Sequence, residues 1–161
     1  MDRLLIRDSR LRLRDIKRET QLELAPVALR WQQMAKGDWR FALDARAGDQ
    51  RLRGRLELKV DEAPSASAVI DFSDIEAAQW LTWAGLEVGP LRPAADARLA
   101  GRVWLELDNA GPTQAVVEIN GRRLGLLDGG LETLEASGQW VRTAEGWEAA
   151  LTPQRVLDQQ G

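Results

Sequence analysis

Apolar and polar residues alternate with a period of two along most of this chain, the signature of strands with one dry and one wet side. Arg10-Leu11-Arg12-Leu13-Arg14 alternates strictly. Leu22 and Leu24 alternate with Gln21 and Glu23, and Val27, Leu29 and Trp31 share a face opposite Ala28, Arg30 and Gln32. Trp39, Phe41, Leu43 and Ala45 oppose Arg40, Ala42, Asp44 and Arg46. Leu52, Gly54, Leu56, Leu58 and Val60 oppose Arg51, Arg53, Arg55, Glu57 and Lys59. Later in the chain, Val103, Leu105 and Leu107 oppose Arg102, Trp104 and Glu106. Ala115, Val117 and Ile119 follow, and Leu134, Ala136, Gly138 and Trp140 lead into Trp147, Ala149 and Leu151.

The interruptions read as hairpins. Lys36-Gly37-Asp38, Ala47-Gly48-Asp49 and Ala144-Glu145-Gly146 each separate two strands. Asn120-Gly121 is predicted as a further two-residue turn, because both residue types tolerate positive φ. Short connections imply antiparallel neighbours and a meander.

One segment departs from this rhythm. Ser73 is a helix cap by type, with Asp74 and Glu76 suited to the positive first turn. Ile75, Ala78, Leu81 and Ala84 recur near helical spacing, and Trp80 and Trp83 widen that stripe. The pattern predicts a short amphipathic helix over 73–84, stopped by Gly85. Gly89-Pro90-Leu91-Arg92-Pro93 then reads as a loop. The expectation from the pattern is a mainly β protein, an antiparallel meander with one short α-helix near 73–84. Residues 1–72 form a first sheet section, 73–94 the helix and proline loop, and 95–161 a second section.

Composition narrows the chemistry. The 161 residues contain no histidine and no cysteine, which removes the commonest general base, thiolate metal sites and disulfides. The lysines are Lys17, Lys36 and Lys59, near turns or on outward strand positions, and no serine sits in a strand-to-helix elbow. Asp71, Asp74 and Glu76 could pair as carboxylates, but acids at a predicted helix start serve capping and dipole roles. Leu127-Asp128-Gly129-Gly130 lacks the Lys and Ser/Thr of a phosphate loop. The expectation is a non-enzyme with no cofactor and no metal. No apolar run is long enough to span a bilayer, so any membrane anchor lies outside this chain.

Charge is uneven. Residues 1–60 carry fifteen Lys or Arg against nine Asp or Glu, whereas the remainder carries seven against sixteen. The basic part could face an anionic polymer or a membrane surface. Its aromatic residues Trp31, Trp39 and Phe41 fall opposite the charges, which argues against base-stacking platforms and against nucleic acid as a partner. The simpler reading makes the arginines the wet side of strands.

The dry side is the remaining feature. It could be buried under a second sheet, as in a closed β-sandwich with a structural or assembly role. It could instead line a trough for acyl chains, which require area and no directional bonds. The pattern alone leaves both open.

Three stretches carry a family resemblance. Leu4-Leu5-Ile6-Arg7-Asp8-Ser9-Arg10-Leu11-Arg12-Leu13-Arg14-Asp15 resembles the strand, Asp-Gly or Asp-Ser, strand, Asp opening of AsmA-like proteins, with Ser9 where Gly is commoner. Val69-Ile70-Asp71-Phe72-Ser73-Asp74-Ile75, followed by the tryptophan-bearing helix and proline loop, resembles their strand-to-helix element. Leu131 to Trp140, followed by Glu145-Gly146-Trp147-Glu148-Ala149-Ala150-Leu151, resembles the hairpin of the YhdP-type branch.

The resemblance implies an internal section of a long periplasmic protein, its curved antiparallel meander sheet forming an apolar groove. Such proteins are anchored in the inner membrane of Gram-negative bacteria and carry phospholipid towards the outer membrane along an apolar β-groove. It implies phospholipid, neighbouring segments of the same chain and other envelope proteins as partners, and no catalytic residues. The groove floor is then expected at Leu11, Leu13, Leu22, Leu24, Leu29, Trp31, Phe41, Leu43, Leu56, Leu58, Val103, Leu105, Val117 and Ile119. The helix would cover or flank the groove, or plug one end of the sheet.

Overall fold

A computed structural model describes residues 3–15, 20–34, 37–60, 63–84, 96–126 and 129–158. They form one nine-stranded sheet whose spatial order follows the chain, each strand antiparallel to the next. The strands are β1 (Arg3–Asp15), β2 (Thr20–Gln33), β3 (Trp39–Ala47), β4 (Gln50–Lys59), β5 (Ser65–Glu76), β6 (Arg98–Asp108), β7 (Gly111–Leu126), β8 (Gly129–Thr143) and β9 (Gly146–Asp158). A single helix, α1 (Ala77–Ala84), follows β5 directly. The sheet is open and curved, and no second sheet lies against it among the described residues.

Tight turns explain the simple order. Ala47 pairs with Gln50 across Gly48, which has a φ of 61°, and Asp108 pairs with Gly111, which has a φ of 112°. Thr143 pairs with Gly146, so the turn expected at Ala144-Glu145 is present. Connections this short leave room only for an antiparallel neighbour. The turns expected around Lys36 and the loop at 85–95 lie wholly or partly outside the described residues.

Two expectations are corrected. Asn120-Gly121 is not a turn. It lies within β7, paired with Ala100 and Leu99 on one side and with Glu135 and Leu134 on the other. Turn chemistry yields here to two strand partners, and Gly121 is required for space: a Cβ there would strike the Leu124 side chain. Nor does a helix begin at Ser73. Residues 73–76 complete β5, with Ile75 opposite Leu99 and Glu76 opposite Arg98. Asp74 takes a φ of 53°, making a bulge that brings Ile75 onto the face already occupied by Phe72.

The same device recurs. Asp8 (φ 51°) lies at the register shift of β1 that separates Ile6 from Leu11. Each extra residue restores the dry side after a change of parity and adds local bend. In β2 the change from Leu24 to Val27 spans the cis Ala25–Pro26 bond.

The helix seats on the dry face at one end of the sheet. Trp80 packs against Leu22, Leu24, Val27 and Ala45, joined by Leu11, Leu13, Leu43 and Ala47. A second cluster joins Ala77, Ala97 and Leu124 with Leu99 and Leu134. Contacts from β2 to β8 thus converge at the helix, which requires the sheet to bend around it.

Candidate functional site

Cross-strand register builds the dry face row by row. Leu4, Trp31, Phe41, Leu56, Ala68, Leu105, Ala115, Trp140 and Ala149 are successive partners across all nine strands. The next row runs Ile6, Leu29, Leu43, Gly54, Ile70, Val103, Val117, Gly138 and Leu151. The third runs Ser9, Val27, Ala45, Leu52, Phe72, Gly101, Ile119, Ala136 and Pro153. No charged side chain interrupts any of the three. At about 4.8 Å between strands and 6.8 Å between rows, they cover roughly 40 Å by 14 Å or more.

All fourteen expected floor residues fall on this one face, though not in one environment. Leu22 and Leu24 are buried beside the helix, with Leu11 and Leu13 packed against them. Leu29, Phe41, Leu43, Leu56, Leu58, Val103, Leu105, Val117 and Ile119 are only partly buried, and Trp31 is 38% exposed. The helix therefore closes one end of the face, and the rest is open in this single layer. At the open end Trp31 meets Trp39, their ring centroids 5.1 Å apart, and stacks on Phe41 at 5.5 Å.

Sequence reasoning missed the contribution of β5. Ala66, Ala68, Ile70 and Phe72 lie at the middle of the sheet and continue the rows. Their alternation was the available signal, masked by reading this stretch as a lead-in to a helix. It also missed the edges, where apolar side chains are most open: Leu4 and Ile6 on β1, and Trp147, Leu151 and Val156 on β9.

Glycines on this face are covered by large neighbours. A Cβ on Gly138 would lie 2.9 Å from the Trp140 ring, and one on Gly101 would lie 2.8 Å from the Phe72 ring. Trp140 and Phe72 therefore lie across the floor, flattening it.

The opposite face is a lattice of cross-strand ion pairs. Arg12 binds Glu23 at 3.1 Å, Arg40 binds Glu57 at 2.8 Å, Arg51 binds Asp44 at 2.6 Å and Arg53 approaches Asp44 at 3.4 Å. Asp71–Arg102 and Glu76–Arg98 continue it, and Asp108–Arg142 ties the end of β6 to β8. Hydrogen bonding from Arg51 holds the Asp44 carboxyl below the usual carboxylate range. Arg142, aided by the Ala110 amide, does the same for Asp108. Asp71 and Glu76, weighed above as helix-start acids, are instead strand residues engaged by arginines. Their separate pairings leave no shared carboxylate site.

Among the described residues, no three His, Cys, Asp or Glu side chains converge to hold a metal ion, and no helix is long and apolar enough to cross a membrane. No protein-family model, curated protein or solved structure matches the chain.

Proposed function

We propose that this chain handles lipid without catalysis, its apolar face carrying phospholipid acyl chains. The observation that supports this most is the set of three rows, free of charged side chains and apolar but for Ser9 at one edge, spanning nine strands in a single layer. Soluble monomers rarely expose a contiguous apolar patch beyond roughly 300–600 Å². The three rows span about 560 Å², at the top of that range, where the largest patch of a monomer is often functional. An acyl chain supplies a cover for it, each buried methylene contributing about 0.8 kcal/mol. The face offers little directional bonding, which suits a ligand that can slide.

The location and context of this reading rest on the sequence resemblance to AsmA-like proteins of the YhdP-type branch. On that basis the chain is a segment of a periplasmic protein anchored in the inner membrane, working with neighbouring segments of the same polypeptide and with other envelope proteins. Head groups stay at the rim while acyl chains move along the floor, between inner and outer membrane.

The alternative is a structural or assembly module whose dry face is closed by a second protein layer. The test is native mass spectrometry of the intact protein purified from cells. On the lipid reading, phospholipid co-purifies, and Val103→Asp with Val117→Asp removes it while the strand content is retained. Unchanged lipid content in that variant, or a lipid-free wild type, contradicts the reading.

A further inference from the structure

The polar face holds a second feature that the apolar floor does not explain. Its central row is electrically complete: Asp44, Arg53, Asp71, Arg102 and Glu118 alternate in sign from β3 to β7 as direct cross-strand partners. The adjacent row has the same arginines without the acids. There Arg30, Ala42, Arg55 and Val69 are successive partners. Ala42 stands between two arginines, where a carboxylate would pair both. Arg30 and Arg55 thus stand two strands apart in one row with no acid between them.

Arg30 and Arg55 line a cavity of about 680 Å³, and Arg7 of β1 lines it too. None of these three guanidinium groups has an ion pair or hydrogen bond among the described residues. The other two arginines of the cavity, Arg53 and Arg102, are engaged by its only two carboxylates, Asp44 and Asp71. The cavity thus carries a surplus of three positive charges on a chain whose formal net charge is −3. Its wall also includes Leu5, Ala28 and Val69, which give a ligand apolar contact between the charges.

We propose that this cavity binds a phosphate-bearing anion, with Arg7, Arg30 and Arg55 as its charge partners. Guanidinium groups present forked donors that match phosphate oxygens, and three of them, held on β1, β2 and β4, neutralise a multiply charged group. The cavity lies on the side of the sheet opposite the apolar floor, so this site is independent of the lipid reading. A phosphate group can come from a soluble phosphate or from a lipid head group at a membrane surface.

The experiment uses the intact protein and two probes. Pyrophosphate is titrated by calorimetry, and vesicles of phosphatidylcholine with and without phosphatidylglycerol are tested by co-sedimentation, both at about 0.1 M salt to suppress long-range attraction. The variant R7Q/R30Q/R55Q is compared with R14Q/R122Q/R155Q, which removes the same charge from exposed positions elsewhere. Pyrophosphate binding weakened at least tenfold in the first variant only supports a site for soluble phosphates. Binding only to phosphatidylglycerol vesicles, again lost in the first variant only, supports a head-group site. No binding to either probe, or equal loss in both variants, overturns the proposal. Either result leaves the lipid content measured above unaffected.

Discussion

The indole N–H of Trp80 donates to Oε1 of Gln50 at 2.9 Å, fixing α1 to the start of β4. The same oxygen accepts the backbone N–H of Glu76 at 3.0 Å, and Nε2 of Gln50 donates to Gln79 at 3.3 Å. Gln50 is the one buried polar side chain of the described residues. It satisfies the strand-to-helix junction just where β5 ends and the helix turns across the apolar face. Gln50→Leu keeps roughly the same volume and removes the shared acceptor of two part-buried donors, which should cost about 1–3 kcal/mol. Urea unfolding should show the loss. A stability equal to wild type would mean the helix is held by Trp80 packing alone.

Two glycines on the apolar face should respond differently to the same substitution. At Gly101 an added methyl group meets the backbone carbonyl of Glu118, which the neighbouring strand holds in place. At Gly138 it meets the outer edge of the Trp140 ring, which can swing away. Gly101→Ala should therefore cost about 1–3 kcal/mol, the range for overpacking. Gly138→Ala should cost less while shifting Trp140 emission. Thermal unfolding and fluorescence of the two variants separate these outcomes.

The arginine-paired acids set a pH dependence. Asp44 and Asp108 have carboxyl pKa values lowered in the fold, chiefly by hydrogen bonds from Arg51 and Arg142. A lowered folded value means that the contribution is present above the unfolded carboxylate pKa of about 3.9 and is lost as pH falls through the folded value. Arg51→Gln and Arg142→Gln should thus be less stable than wild type at pH 7, with the gap closing below about pH 4. Both pairs are substantially solvent-exposed, so the gap is small and shrinks in salt. A difference that persists undiminished at pH 3 would assign the effect to lost packing.

Tryptophans on the two faces offer an internal comparison. Trp31 lies on the open apolar face, whereas Trp104 lies on the polar face with the Arg102 guanidinium 5.5 Å from its ring. Phospholipids with brominated acyl chains should quench a variant retaining Trp31 and leave one retaining Trp104 near its initial intensity. Equal quenching of both would remove the distinction between the faces.

Much of this face is legible in the sequence because alternation reports on each strand separately. Trp39 to Ala45 and Leu52 to Leu58 assign their sides without any knowledge of neighbours, and all fourteen floor residues lie where that alternation put them. The places that change parity are not legible in this way. Asp8 and Asp74 adopt positive φ at bulges whose position depends on which partner residues must be matched across the sheet. The Ser73–Glu76 stretch has the residue types of a helix start, yet pairing with β6 extends the strand. Asn120-Gly121 has the composition of a turn, but Gly121 is needed to make room for Leu124. The surplus of cations in the row of Arg30 and Arg55 is likewise visible only once strand register places Ala42 between them.

Photo-crosslinking in the intact protein tests the central claim most directly. A photoreactive residue at Leu43 or Val117 sits in the middle apolar row, and one at Ser67 or Val116 sits on the opposite face, away from the arginine cavity. The lipid reading predicts phospholipid adducts from Leu43 and Val117 and none from Ser67 or Val116. Absence of adducts from both apolar positions, or adducts with protein alone, would contradict it and favour a face closed by a second protein layer.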